Sequence, residues 1–165
     1  MIKTLQISEK EAWDLAFNAL VNNNTSEDNA KEVADALISA EFDGQAGHGL
    51  SRIPSYVEQL TAGKVKGAEA PSIMSSKGSV IRIDAKNGFA YPAISLALKE
   101  ITTTCKNFGI AAASITRSHH FGQAGRHVEI LANNGLIGLM FGNTPKAIPP
   151  WGGTKALFGT NPIAF

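Results

Sequence analysis

Apolar residues in the first third of the chain recur at intervals of three and four, which is the spacing of one face of a helix. Ser8 with Glu11 has the spacing of a capping box at a helix start, and the apolar residues that then follow this rule are Ala12, Leu15, Ala16, Ala19 and Leu20. The same pattern occurs twice more. It predicts three helices: 9–21, residue 25 or 26 to about 44, and about 51 to 63.

The period then changes. The segment SVIRIDA, 79–85, alternates apolar and charged residues and predicts a strand, and Pro92 fits the first turn of a helix that follows. The apolar segments GIAAASIT, 109–116, and LIGLMFGN, 136–143, are typical of strands buried on both faces, with a helix at 123–133 between them. This order predicts an α/β fold with a partly parallel sheet after a helical N-terminal region.

Composition narrows the function. The 165 residues fit one ordinary domain, and 44% of them are hydrophobic, which is enough for a real core. A net charge of +1 argues against binding to nucleic acid or an anionic membrane. No signal-peptide pattern or membrane-span pattern is present, so we expect a cytoplasmic protein. The C-terminal PIAF is where a further strand should begin, and we therefore expect the chain to be truncated.

Two histidines on a glycine-rich turn, in the sequence RSHHFGQAGRH, are the first candidate site. A metal site is disfavoured because His119 and His120 are adjacent and few further ligands lie nearby. A phosphate cradle would use Gly122 and Gly125 at the start of a helix, although a simple tight turn explains these glycines equally well. The chain lacks G-x-G-x-x-G, which disfavours a Rossmann fold, and proton transfer stays possible.

The sequence GHGLSR supplies a second candidate, with Arg52 one helical turn after His48. An imidazole beside a guanidinium suits a substrate that carries a carboxylate next to a reacting carbonyl. A capping or solvent-facing role for His48 is the alternative.

Five segments, in this order and spacing, resemble the type 2 malate/L-lactate dehydrogenase family. They are GHGLSRIPSYVEQLTAGKV, DAKNGFAYPA, SHHFGQAG, GLIGLMFGN and PWGGTKALFGTNPIAF. The family uses NAD or NADP and includes ureidoglycolate, sulfolactate, diketogulonate and piperideine-2-carboxylate enzymes. Its members are about twice as long, so this chain resembles their N-terminal half.

The resemblance implies an α/β fold of non-Rossmann type with a mixed sheet, assembled as a homodimer. It implies a helical region, 1–70, that carries His48 and Arg52, and an incomplete cofactor-binding region, 71–165. His48 is then a proton donor, Arg52 binds the substrate carboxylate, and His120 is a second acid/base. The implied cofactor contacts are His120, Phe121, Gly122, Gly125, Asn143, Gly159, Thr160, Asn161 and Pro162.

The implied reaction is hydride transfer between NAD or NADP and a small 2-hydroxy or 2-oxo acid, or a cyclic imino acid, without a metal. The alternative is a non-catalytic, dimerising remnant of such an enzyme. One departure from the family pattern is Gly47, which stands where a serine usually precedes the histidine.

Overall fold

The computed structural model describes residues 6–165, which form two compact units. The first unit ends at Gln123 and the second is Ala124–Phe165. The sequence-based division at residue 70 separates a helical region that carries His48 and Arg52 from a cofactor-binding region. It describes function and not compactness, and it stays a prediction.

Three helices open the first unit. Helix α1, Glu9–Val21, begins with the predicted capping box, in which Ser8 and Glu11 exchange hydrogen bonds. Helix α2, Glu27–Phe42, is capped by Ser26, and α3, Ile53–Thr61, follows two 3-10 turns. The three predicted helices are therefore confirmed. Their apolar faces form a buried core with two aromatic residues from further along the chain; its members include Leu20, Val33, Leu37, Tyr56, Val65, Phe89 and Tyr91.

A three-stranded sheet completes this unit. Strand β1, Ser72–Lys77, pairs antiparallel with β2, Val80–Asp84, and β2 pairs parallel with β3, Ala112–Thr116. Helix α4, Ala90–Phe108, connects β2 to β3 and packs against their apolar residues. The sheet is mixed, which confirms the predicted α/β class; β1 was not predicted, because its sequence SIMSSK does not alternate clearly.

Strand β3 is not buried on both faces, contrary to the sequence-based expectation. Ala113 and Ile115 pack against the core beneath α4, whereas Ala112, Ser114 and Thr116 are exposed. The physical reason is its position at the sheet edge, with α4 covering one face. The run of small apolar residues correctly predicted a strand, but it did not indicate that only one face of the strand is covered.

The second unit contains α5, Ala124–Asn133, and two short antiparallel strands, β4, Met140–Phe141, and β5, Ile163–Ala164. The prediction of a long buried strand at 136–143 is wrong: β4 has two residues, and Phe141 is 69% exposed. The reason is that a two-stranded sheet gives its strands little cover. No helix in the part of the chain that the structure describes is long and apolar enough to cross a membrane.

Candidate active site

The segment before α3 is positioned by the end of α2. The Glu41 carboxylate accepts a hydrogen bond from the backbone N–H of Leu50 at 2.7 Å. It lies so close to Gly49 that a side chain there would collide with it. The Nε of Arg52 donates to the carbonyl of Gly47, which ties the guanidinium to the turn that carries His48. These contacts fix the backbone on both sides of the histidine.

The second candidate segment, 117–123, follows β3 and is held by an ion pair. The Arg117 guanidinium bonds to the Asp84 carboxylate at the end of β2, with 2.9 Å between Nε and Oδ1. These hydrogen bonds lower the pKa of Asp84 to about 2. The carbonyl of Arg117 also accepts from the N–H of Asn87 at 2.8 Å. Arg117 has a positive φ of 52°, so the chain turns sharply at this point.

The two candidate segments meet at their histidines. The imidazole rings of His48 and His120 are stacked, with 5.4 Å between their centroids and 10° between their planes. Arg52 is close enough for its charge to lower the pKa of both rings. The structure therefore brings together the three side chains that were proposed as catalytic from sequence.

Hydrogen bonds from two sides reach one nitrogen of His120. The hydroxyl of Tyr56 lies 2.8 Å from Nδ1, and the N–H of Gly122 lies 3.4 Å from the same atom. Behind Tyr56 lies the hydroxyl of Tyr91, at 3.0 Å. Burial, with the nearby charges of Arg52, His48 and His119, lowers the pKa of His120 to about 4. His120 is therefore a neutral imidazole at pH 7.

His48 has a different environment. Burial, followed by the positive charge of Arg52, lowers its pKa below the usual 6.5. Its Nδ1 is buried and has no hydrogen-bond partner among the described residues. A buried ring nitrogen without a partner is costly, and such atoms in native proteins call for an explanation. His48 therefore retains hydrogen-bonding capacity that the described chain does not use.

His119 packs among aromatic rings. Its ring meets Tyr56 and Phe89 edge-on, with centroid distances of 5.2 and 5.6 Å. Its Nε2 lies 3.0 Å from Oε1 of Gln59, and burial lowers its pKa to about 4. These contacts fasten the turn to α3.

The backbone conformation and the close packing at position 122 both require a glycine. Its φ is +67°, and a Cβ at this position would lie 2.5 Å from the Tyr91 hydroxyl. A branched or even a small side chain would strain the backbone and collide with Tyr91. The tight-turn interpretation of this glycine is thus sufficient without a ligand. The ring of Phe121 stacks on the imidazole of His120, with 6.2 Å between their centroids and 20° between their planes.

The remaining predicted cofactor residues belong to the second unit. Gly125 lies in the first turn of α5, and Asn143 follows β4. In the 159–162 loop, the Asn161 carbonyl oxygen Oδ1 accepts from the N–H of Thr144 at 3.0 Å, and Thr160 and Thr144 pair their hydroxyls at 3.1 Å. Gly159 lies against Thr144, and the carbonyl of Pro162 accepts from Gly142. A cofactor role for these residues stays a prediction.

Sequence reasoning missed Tyr56 and Tyr91 as members of the site. Tyr56 lies on the apolar face of the third predicted helix, which is an ordinary place for a packing residue, and Tyr91 lies in the first turn of α4. One available indication was chemical: a buried tyrosine hydroxyl needs a partner, and Tyr56 lies two helical turns after His48. The partner itself could not be read from sequence because it comes from the distant 117–123 segment.

In the described range, 6–165, no three His, Cys, Asp or Glu side chains come together in a way that could hold a metal ion. The chemistry available at this site is that of two imidazoles, a guanidinium and two phenols. This set can move a proton, donate hydrogen bonds and bind a carboxylate.

Comparisons with known proteins identify the family. The malate/L-lactate dehydrogenase family model matches residues 7–165, so the chain belongs to that family and the resemblance inferred from sequence is confirmed. The chain is 47% identical over 159 residues to a (2R)-3-sulfolactate dehydrogenase (NADP(+)) of Chromohalobacter salexigens. That match covers 96% of this chain and 47% of the relative.

Two solved structures share the fold. The malate dehydrogenase of Entamoeba histolytica matches with a TM-score of 0.91 and 26% identity, covering 98% of this chain and 45% of that one. The delta1-piperideine-2-carboxylate reductase of Pseudomonas syringae pv. tomato matches with a TM-score of 0.89 and 36% identity, covering 97% and 48%. The chain thus spans about half the length of the relatives that it matches.

Proposed function

We propose that the protein is an oxidoreductase that transfers a hydride between a nicotinamide cofactor, NAD or NADP, and a small 2-hydroxy or 2-oxo acid. The observation that carries this proposal is the stacked pair of His48 and His120 beside Arg52. When a hydride reduces a 2-oxo acid, the enzyme must also donate a proton to the oxygen that becomes the new hydroxyl. A cationic side chain is suited to bind and orient the neighbouring carboxylate. The site supplies both kinds of group.

In this proposal His48 donates the proton during reduction and accepts it during oxidation. Its lowered pKa leaves it largely neutral near pH 7, which suits a base for the oxidation. A substrate carboxylate bound by Arg52 would offset the guanidinium charge that lowers this pKa, and so would favour the protonated form needed for reduction. Arg52 binds that carboxylate, and a guanidinium can do so with two parallel hydrogen bonds.

Each unit, considered by itself, contains a feature that suits part of a dinucleotide. The first turn of α5 contains Gly125 and no acidic side chain, which suits an anionic phosphate near its N–H groups. The buried Nδ1 of His48 and the buried Oε1 of Gln123 have no partner among the described residues. The proposed contacts are His120, Phe121, Gly122, Gly125, Asn143, Gly159, Thr160, Asn161 and Pro162. When bound, the cofactor would supply or accept the hydride.

The relatives point to the substrate class. The Chromohalobacter protein is named for sulfolactate and NADP, and the Pseudomonas reductase for a cyclic imino acid. Both kinds of compound carry a carboxylate next to the carbon that takes the hydride, which is the arrangement that Arg52 and His48 would recognise. We therefore propose sulfolactate, malate or lactate, and cyclic 2-imino acids as the candidate substrates.

We further propose that the protein is a cytoplasmic homodimer. Large apolar side chains of the second unit are exposed in the single chain; they include Ile137 at 86%, Trp151 at 105% and Phe165 at 84%. Because the chain spans about half the length of its relatives, such a surface would be covered in the full-length protein by the rest of the chain or by a second copy, either of which removes apolar area from water. Light scattering after size-exclusion chromatography of the full-length protein measures the assembly directly.

The proposed reaction is tested by following NADH and NADPH oxidation with the full-length protein, three 2-oxo acids (sulfopyruvate, oxaloacetate and pyruvate) and one cyclic 2-imino acid, piperideine-2-carboxylate. We expect turnover with at least one of them and a change in NAD(P)H fluorescence on binding. A dimer that neither binds NAD(P)H nor oxidises it would support the non-catalytic alternative.

Arg52→Lys should raise the KM for the acid and leave NAD(P)H affinity nearly unchanged, since lysine keeps the charge but loses the paired geometry.

A further inference from the structure

Tyr56 and Tyr91 form a hydrogen-bonded chain that ends on His120, and the direction of this chain can be derived. The backbone N–H of Gly122 can only donate, and although it is weak at 3.4 Å, its bond to Nδ1 of His120 favours the tautomer in which that nitrogen presents its lone pair. The Tyr56 hydroxyl, 2.8 Å from the same nitrogen, then donates to it and makes the stronger of the two bonds. Because this uses its single hydrogen, the Tyr56 oxygen accepts from the Tyr91 hydroxyl at 3.0 Å.

Both phenols can keep this direction. Tyr56 is 1% exposed and Tyr91 is 2% exposed. Burial raises the pKa of Tyr56 well above its usual value, so its hydroxyl keeps the proton that it donates. The ring of Tyr56 also packs against Phe89 and His119, which restricts its rotation. The donor therefore has both a fixed position and a fixed protonation state.

We propose that Tyr56, supported by Tyr91, is a positioning residue that holds His120 as a neutral imidazole with its proton on Nε2. His120 then contributes the Nε2–H as a hydrogen-bond donor to the reacting oxygen or nitrogen of the substrate, while His48 moves the proton. This assignment of the Nε2–H rests on the proposed oxidoreductase function; the tautomer itself does not.

Protonation of His120 would work against this arrangement. A proton on Nδ1 would face the N–H of Gly122, and the tyrosine chain would have to reverse its direction. The titratable and charged groups around the ring oppose a positive charge as well: Arg52, His48 and His119 all disfavour it. The stacked pair of His48 and His120 thus carries at most one positive charge, and the hydrogen bonds assign it to His48.

The test is nitrogen NMR on the full-length protein with 15N-labelled histidine, with the His120 signals assigned from a His120→Gln variant. We expect Nδ1 of His120 to have the shift of an unprotonated ring nitrogen and Nε2 that of a protonated one, from about pH 5 to about pH 8. In Tyr56→Phe the two shifts should move towards each other as the tautomers mix, and in Tyr91→Phe they should move part of the way.

Trp13→Phe is the matched control. It also removes a half-buried hydrogen bond, from Trp13 Nε1 to Asp35 at 2.6 Å between α1 and α2, and it should leave the His120 shifts unchanged. A proton on Nδ1 in the wild type, or shifts unchanged in both tyrosine variants, would overturn the proposal.

Kinetics separate this inference from the proposed function. Tyr56→Phe should lower kcat about tenfold, less than the roughly hundredfold loss typical when a transition-state donor is removed outright, with NAD(P)H affinity unchanged. If the wild type reduces no 2-oxo acid while the NMR result holds, the proposed function fails and the positioning of His120 by Tyr56 stands.

Discussion

The 117–123 turn and the 159–162 loop are both expected, from the family resemblance, to contact the dinucleotide, yet they are built differently. The turn is fastened by an ion pair to β2, by packing of His119 against Tyr56 of α3, and by hydrogen bonds from α3 side chains to its two histidines. The 159–162 loop is largely exposed and bonds to Thr144 within its own unit. The turn has an unusual titration environment, and the loop contains no titratable side chain.

The difference shows what a glycine-containing motif can and cannot indicate. Gly122 was interpreted as a place where the backbone could approach a phosphate, and Gly159 as a cofactor contact implied by the family resemblance. In the structure, the space that a side chain would need is filled by Tyr91 at Gly122 and by Thr144 at Gly159. The glycines are therefore explained by the protein's own packing, and the chemical case for a site depends on the groups around His120.

The largest effect is expected for His48→Gln in the full-length protein, because His48 stacks on His120 of the 117–123 turn. Glutamine has a similar reach but cannot donate a proton at neutral pH. We expect kcat for reduction to fall roughly a hundred- to ten-thousand-fold, as for other general acids, with NAD(P)H affinity within a few-fold of the wild type. Steady-state kinetics and fluorescence titration measure the two quantities.

His120→Gln is the comparison for that variant. It should lower turnover and weaken cofactor binding, because its segment is proposed to contact the dinucleotide. If His48→Gln retained more than about a tenth of wild-type turnover, the loss would be too small for removal of a general acid. The role of general acid would then be assigned to His120.

A smaller effect, on stability, is expected for Gly122→Ala. A residue with a side chain at φ +67° is strained by roughly 1–2 kcal/mol, and contact with the Tyr91 hydroxyl adds a similar overpacking cost. We expect the free energy of unfolding to fall by about 2–4 kcal/mol in urea titrations. Gly159 has no positive φ, so Gly159→Ala should add no backbone strain, but its Cβ would collide with the backbone carbonyl of Thr144 and overpacking should cost about 1–3 kcal/mol. A loss of less than about 1 kcal/mol for Gly122→Ala would contradict the close packing of this glycine against Tyr91.

Acid should destabilise the turn in particular. In the folded state the pKa values of His119 and His120 are about 4, and in the unfolded state they return to about 6.5. Between these values the unfolded chain binds protons that the folded chain does not, so stability is full above pH 6.5 and falls as the pH drops towards 4.

Each such proton changes the unfolding free energy by about 1.4 kcal/mol per pH unit. Thermal melts across this range should show a falling Tm, with a shallower fall in His119→Gln or His120→Gln. A wild-type Tm that stays constant from pH 6.5 to 4 would show that neither ring is held neutral.

The sequence predicted local structure better than surroundings. The capping box of α1 and the Ser26 cap of α2 are encoded within a few residues, and both helices begin where expected. The exposure of β3 and the brevity of β4 depend on what packs against them, and no local pattern contains that information. Similarly, His48 and His120 were recognised individually, but their stacking results from how α3 and the turn after β3 meet.

The smallest effect is expected for Asn161→Ala, which tests the exposed loop directly. The variant removes the hydrogen bond that Oδ1 accepts from Thr144 and replaces a residue whose φ is +39°. Exposed hydrogen bonds of this kind contribute little, so we expect a loss of stability of about 0.5–1 kcal/mol. If the loop contacts the dinucleotide, NAD(P)H affinity should fall by more than this change in stability explains.

Thr144→Val, which removes the hydroxyl that Asn161 and Thr160 share, is the matched control because it loosens the loop and leaves its 159–162 side chains intact. Equal affinities for both variants and the wild type would assign the loop a purely structural role.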